Sequence, residues 1–324
     1  MHGGRGAMMR MVARRLAASG LSIFILVTLV FFMAHLTPGG PAYSILGLKA
    51  NATSVAQLNA RLGLNQPLLQ QYGLWWWHLA HGRLGYSYLL NRPVGALLWR
   101  YELNTLVFYA IAISLSTGLS ILLGLAQGVY FGRWPARLIG AFQLGFYALP
   151  PFFIAAMLVL WACVRHRWLP ASGMVDLRLA HPGIASYAAH LVLPVITVTL
   201  FTTASLSRYF GEAVHEELGR DYVRTARAKG VGFTAILFTH VLRNALRPLV
   251  TMLGLSLPYI FTGGVIVESV FNYPGLGWLM WRSALAQDYP ILIAIVLVIG
   301  LLTVLGNLLA DVVNGLLDPR ASYE

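Results

Sequence analysis

The residues that could do chemistry are few, and they do not form a known catalytic pattern. The sequence contains no His-Glu-x-x-His, no Gly-x-Ser-x-Gly and no Gly-x-x-x-x-Gly-Lys-Ser/Thr motif. His78 and His81 have a spacing that could suit a metal, but no carboxylate or cysteine nearby completes a ligand set. Cys163 is the single cysteine and lies in an apolar run. We therefore expect no catalytic residue, no metal and no bound cofactor on this chain.

Two features lie inside apolar runs, an acid with more than one possible role and a series of glycines. Glu268 lies near the outer end of one run, and acids within a membrane are functional by default. It could equally contact lipid headgroups or Arg282. The glycines at 118, 124, 128 and 132 predict close packing of helices, which is a structural role.

The segment 212–247 differs from the rest of the chain because it is densely charged. Acids come first and bases follow: Glu212, Glu216, Glu217 and Asp221, then Arg224, Arg227, Lys229, Arg243 and Arg247. This order suits the dipole of a first helix, which Gly230 and Gly232 then end. A second helix is predicted from Thr234. The small side chains of Ala226 and Ala228 would let another protein approach closely, as when a helix docks in a groove of a partner.

The elements around this segment are long apolar helices. Of 324 residues, 58% are hydrophobic and 10% are charged, whereas soluble domains average about 25% charged. Six runs are long enough to cross a bilayer core, which needs about 20 residues, and the absence of alternation excludes a β-barrel. The sequence thus predicts an all-α, polytopic membrane protein with spans at 17–36, 104–131, 138–164, 189–210, 248–270 and 289–315.

Basic residues predict the orientation of these spans. Arginines precede the first span, and Arg133 and Arg137 lie between the second and third. Together with the bases of 212–247, they fall on one side, which the positive-inside rule assigns to the cytoplasm along with both termini. We expect three regions: a cytoplasmic amino terminus with the first span (1–36), an outer loop (37–103), and a core of spans (104–324) that carries the cytoplasmic segment 212–247.

The outer loop is predicted to contain two short helices, Gln57 to Leu62 and Pro67 to Ala80, the second with tryptophans that anchor it at the membrane interface. The net charge of +12 could suggest a nucleic-acid partner. Bases beside apolar spans explain it better, so we expect membrane lipid as a partner and no nucleic acid.

The segment DYVRTARAKG at 221–230 resembles the "EAA" loop of bacterial ABC importer permeases, in the form found in the dipeptide, oligopeptide and nickel branch. Further pieces match in the same order along most of the chain: LGLNQP at 62–67, RPV at 92–94, LPASG at 169–173, HLVLP at 190–194, RNAL at 243–246, VESVF at 267–271, PGLG at 274–277, DYP at 288–290 and LDPR at 317–320. The leading acid of the pattern is replaced by Arg224, as is usual in this branch.

The resemblance implies a type I ABC importer permease fold in the bacterial inner membrane and a transport subunit, not an enzyme. It implies four kinds of partner: a second homologous permease, two cytoplasmic ATPases that use ATP and Mg²⁺, an extracytoplasmic solute-binding protein, and a di- or oligopeptide as solute. The residues that it implies for coupling to the ATPase are Asp221, Tyr222, Arg224, Thr225, Ala226, Ala228, Lys229 and Gly230. It does not identify residues of the translocation pathway.

Other functions stay open at this point. Relatives in the branch carry nickel chelates or other small solutes. A secondary transporter driven by an ion gradient would be expected to show inverted repeats and broken helices with polar groups at mid-membrane, and neither pattern is evident.

Overall fold

The computed structural model describes residues 3–262 and 264–317, with side chains for 17–253 and 264–308. Within these residues the chain is helical and forms no strand, only one isolated β-bridge between Tyr86 and Pro93. This confirms the prediction of an all-α protein. The helices are α1 (Gly3–Leu36), α2 (Gly40–Leu46), α3 (Ala52–Leu62), α4 (Leu68–Ala80), α5 (Val94–Val129), α6 (Trp134–Ala148), α7 (Pro151–Leu158), α8 (Ile184–Leu218), α9 (Asp221–Ala228), α10 (Phe233–Ile236), α11 (Leu242–Thr262), α12 (Gly264–Val270), α13 (Leu276–Leu285) and α14 (Tyr289–Leu317).

Four helical stretches are long and apolar enough to cross a membrane: Ala17–Leu36, Val94–Val129, Ile184–Leu218 and Tyr289–Leu308. They correspond to four of the six predicted spans. The predicted span 248–270 includes residues 254–263, whose side chains lie outside the described part of the chain. The structure therefore establishes a polytopic membrane protein but does not confirm the count of six.

The predicted span 138–164 is not one straight helix. It consists of α6 and α7, with α7 extended by a π-helical turn over Val159–Arg165, and the two helices meet at an angle of 100°. The break falls at Leu149, before Pro150 and Pro151. Proline has no N–H for the helix ladder, and it forces the preceding residue into extended backbone, as the ψ of 130° at Leu149 shows.

Two other boundaries differ from the predicted ones. Helix α5 begins at Val94, so the last ten residues of the predicted outer loop are helical. Helix α8 continues to Leu218, so the first part of segment 212–247 extends that helix. The two predicted outer helices exist as α3 and α4.

The chain separates into two compact units. Unit 1 comprises residues 1–104 and 275–305, and unit 2 comprises 105–274 and 306–324. The three predicted regions are defined by the side of the membrane on which they lie. The two units are defined by contacts within the protein, so the three regions stay a prediction.

Unit 1 is held together by Gln287 and Asp288, just before α14. Asp288 is 1% exposed, and its carboxylate accepts hydrogen bonds from the Ser87 hydroxyl (2.5 Å) and from the backbone N–H groups of Tyr88 (3.1 Å) and Leu89 (3.2 Å). The Gln287 side chain accepts from Ser44 and donates to the carbonyl of Pro38. These bonds fix the loop segments before α2 and α5 to the start of the last helix.

Unit 2 contains a close contact between α5 and α8. A Cβ at Gly124 would lie 2.8 Å from the carbonyl oxygen of Ser207, and one at Gly128 would lie 2.9 Å from that of Gly211. Gly118 meets nothing within 4 Å. Of the four glycines predicted to permit close packing, Gly124 and Gly128 therefore do so. Beside this contact, the side-chain amides of Gln127 and Gln143 pair reciprocally at 3.0 and 2.7 Å.

Candidate functional site

Helix α9 presents one buried and one exposed face to its surroundings. Val223 is fully buried. It belongs to a cluster of buried apolar residues, which we call the α8–α11 cluster: Leu206, Phe210, Val214, Val223, Ile236, Leu237, Val241, Ala245 and Leu249. Asp221, Arg224 and Ala228 are exposed. This short helix thus attaches to the cluster through Val223, with Tyr222 and Ala226 packed beside it, and leaves its charged face open.

Helix α9 ends in a Schellman motif at Gly230. The Gly230 N–H donates to the carbonyl of Arg227 (3.0 Å), and the Val231 N–H donates to that of Ala226 (3.1 Å). The motif requires a left-handed residue at the position of Gly230, whose φ is +79°. The predicted glycine break therefore has a defined geometry, and Gly232, with a φ of −63°, precedes the next helix in extended backbone.

The second helix attaches to the same cluster. It begins as α10, continues as a π-helical turn over Leu237–Val241 and joins α11. Ile236 and Val241 are fully buried in the α8–α11 cluster, whereas Phe233 and Phe238 are about half exposed. The guanidinium of Arg227 lies 5.9 Å from the centre of the Phe233 ring, which connects the exposed surfaces of the two helices.

The charged side chains around α9 form ion pairs. Arg224 and Asp221 approach to 3.4 Å and are both exposed, whereas Glu217, 3.8 Å from Arg220, is only 20% exposed. An exposed pair such as Arg224–Asp221 contributes about 0–1 kcal/mol, so it leaves Arg224 available to a partner. The Tyr222 hydroxyl donates to Glu217 at 2.5 Å. Burial and this interaction with Glu217 raise the pKa of Tyr222, which keeps the hydroxyl protonated.

The structure brings the eight predicted coupling residues together on and just after α9, but they do not share one face. Six are exposed: Asp221, Arg224, Thr225, Ala228, Lys229 and Gly230. Tyr222 and Ala226 are half-buried and pack against the α8–α11 cluster. The two alanines therefore point in different directions. Sequence reasoning missed the exposed apolar side chains of Val231, Phe233 and Phe238, although apolar residues in a charged segment were an available signal.

The other candidate residues lie elsewhere. Glu268 is fully buried and accepts a hydrogen bond from the Thr105 hydroxyl at 2.8 Å, so it does not reach solvent or headgroups. His81 is hydrogen-bonded to the carbonyl of Trp77. Among the described residues, no group of three His, Cys, Asp or Glu side chains could hold a metal ion.

Two family models together cover almost the whole chain. Residues 116–323 match the model described as "Binding-protein-dependent transport system inner membrane component". Residues 8–121 match the amino-terminal model of the same kind of transport component. The charged segment 212–247, predicted to couple to an ATPase, lies within the first match.

Curated relatives match over nearly their full length. The "Probable peptide ABC transporter permease protein y4tP" of Sinorhizobium fredii is 33% identical over 96% of this chain and 99% of the relative. The "Glutathione transport system permease protein GsiC" of Salmonella paratyphi A is 34% identical over 98% of this chain and all of the relative. The protein of the same name from Escherichia coli K12 is 32% identical over the same shares.

Proposed function

Because this chain belongs to the family of binding-protein-dependent transport system inner membrane components, we propose that it is the permease subunit of an ATP-driven importer of di- or oligopeptides. The observation that carries the proposal is the full-length similarity to permeases named for peptide and glutathione transport. Glutathione is itself a small peptide, so both names point to one class of solute. The chain is a multi-pass protein of the bacterial inner membrane.

The partners follow from the family. The translocation path would be formed with a second, homologous permease, and an extracytoplasmic binding protein would deliver the peptide. Two cytoplasmic ATPases would bind and hydrolyse ATP with Mg²⁺, since this chain contains no phosphate-binding loop.

The exposed surface of α9 and α10 is the part of the chain best suited to contact an ATPase. It combines exposed arginines with a small exposed Ala228 and the apolar rings of Phe233 and Phe238. A helix lying in a groove of a partner uses this mixture of apolar anchors and polar rim.

Movement of this surface would be transmitted through the α8–α11 cluster. Val223 of α9, Val214 of α8 and Val241 before α11 all have 0% exposure within it. Close-packed interiors deform little, so displacement of α9 by an ATPase would displace the ends of α8 and α11 with it. This gives a physical route from ATP hydrolysis to helices in the membrane.

The proposal is tested with the complete importer reconstituted in vesicles. We expect ATP-dependent uptake of a labelled dipeptide that is competed by other short peptides and not by a nickel chelate. Uptake of a labelled nickel chelate without uptake of the dipeptide would identify the other solute class of this branch. Uptake that persists without ATPases and follows an ion gradient would overturn the assignment.

The docking surface is tested with Ala228→Trp. The large side chain should hold the ATPase away and reduce its recovery with the permease at least fivefold, while the permease stays in the membrane. Ala60→Trp is the matched control, because Ala60 is exposed on α3. Equal recovery of the ATPases with both variants would contradict a docking role for this face.

A further inference from the structure

A cavity of about 430 Å³ lies within unit 1. Its size falls within the range of about 300–1,000 Å³ that is typical of small-molecule sites. It is lined by the end of α1, the segment from α3 to the turn before α5, and the first turn of α14. The proposed transport function does not assign a ligand to this cavity.

The polar part of the cavity is cationic. Arg61 and Arg83 line it, and none of the lining residues is acidic. Neither arginine forms an ion pair with an acid among the described side chains. Asp288 is bonded to two of the lining residues, Ser87 and Tyr88, but it is buried and does not itself line the cavity. The cavity therefore offers two guanidinium groups that form no ion pair with an acid of the described residues.

The cavity also has apolar lining residues. Leu74 and Trp75 of α4 supply most of this surface, and Leu74 is 43% exposed. Phe31 and Ile293, from the stretches Ala17–Leu36 and Tyr289–Leu308, also line the cavity but are each only 2% exposed. The site thus combines apolar and cationic surface, as the boundary between acyl chains and headgroups does.

We infer that this cavity binds an anionic phospholipid, with the phosphodiester at Arg61 and Arg83 and the start of an acyl chain along Leu74 and Trp75. Guanidinium groups match phosphate oxygens with two parallel hydrogen bonds. A free phosphate or a peptide carboxylate would satisfy the arginines but would leave the apolar lining residues uncovered. The combination of both kinds of surface in one cavity favours the lipid.

The test uses the complete importer, delipidated in detergent and titrated with phosphatidylglycerol, phosphatidylcholine or glycerol 3-phosphate. We expect phosphatidylglycerol to remain bound in native mass spectrometry and to raise the unfolding temperature. Arg61→Gln combined with Arg83→Gln should lower its affinity at least tenfold. Arg61→Lys combined with Arg83→Lys keeps the charge but not the paired hydrogen bonds, so it should recover only part of the affinity.

Lys49→Gln combined with Arg92→Gln is the matched control. It removes the same two charges from exposed positions in the same outer segment, but neither residue lines the cavity. This control should change the affinity less than twofold. The inference is overturned if the control weakens binding as much, if the double glutamine variant binds normally, or if phosphatidylcholine or glycerol 3-phosphate binds as well as phosphatidylglycerol. These measurements do not use transport activity. A failure of the lipid inference can therefore be distinguished from a failure of the proposed peptide transport.

Discussion

At the scale of single residues, Gly230 and Gly232 show that neighbouring glycines have different roles. Gly230 has a φ of +79° and closes the Schellman motif of α9, whereas Gly232 has a φ of −63°, which any residue can adopt. No atom lies within 4 Å of a Cβ at either position. Any effect of a small side chain at Gly230 must therefore come from backbone strain and not from a clash.

This difference gives a prediction for Gly230→Ala with Gly232→Ala as its control. An L-residue in left-handed backbone costs about 1–2 kcal/mol, so Gly230→Ala should loosen the end of α9 and raise the number of ATP molecules hydrolysed per peptide imported. Gly232→Ala should leave that ratio unchanged. Coupling ratios in reconstituted vesicles measure both variants, and a parental ratio for Gly230→Ala would show that the motif is not needed for coupling.

At the scale of elements, the contact between α5 and α8 depends on glycine. A Cβ at Gly128 would lie 2.5 Å from a methyl group of Val214 and 2.9 Å from the backbone oxygen of Gly211, so the helices would have to separate. Val214 also belongs to the α8–α11 cluster that holds α9. The close approach of two long helices thus supports the position of the docking surface.

We predict that Gly128→Ala destabilises the permease by about 1–3 kcal/mol, the usual cost of overpacking. Gly118→Ala is the control, since Gly118 lies in the same helix and a Cβ there meets nothing within 4 Å. The midpoint of thermal unfolding in detergent should fall for the first variant, whereas the better helix propensity of alanine should keep or raise it for the second. A fall shared by both variants would mean that the contact at Gly128 is not responsible.

The same elements show what the sequence could and could not predict. The lengths of the apolar runs predicted the long helices. The order of acids before bases, followed by Gly230, predicted α9 and the residue at which it ends. The bend after Leu149 was missed, because overall apolar content does not register the effect of Pro150 and Pro151 on the helix ladder. The opposite orientations of Ala226 and Ala228 were also missed, because alanine suits a buried and an exposed position equally well.

At the scale of the whole molecule, the predicted orientation in the membrane places α3 outside and α9 in the cytoplasm. Ala60 and Thr225 are both exposed in the structure, so a thiol at either position can react if the reagent reaches it. Accessibility to a membrane-impermeant reagent therefore reports the side of the membrane and not burial in the protein.

We predict that Ala60→Cys is labelled in spheroplasts, which expose the outer face of the inner membrane, and that Thr225→Cys is labelled only after they are lysed. Both variants are made in a Cys163→Ala background, because Cys163 is the single native cysteine. The cysteine-free parent controls for labelling of other groups. Labelling of Thr225→Cys before lysis would reverse the orientation and remove α9 from the ATPase.

The hydrogen bonds of Asp288 also determine when unit 1 can be completed during synthesis. Ser87 is separated from Asp288 by 201 positions, and Pro38 from Gln287 by 249. At about 5–20 residues per second, the ribosome needs about 10–40 s after making Ser87 before it reaches its partner. During that time the segment around Ser87 lacks these hydrogen bonds, so unit 1 can be completed only after residues 287 and 288 have been made.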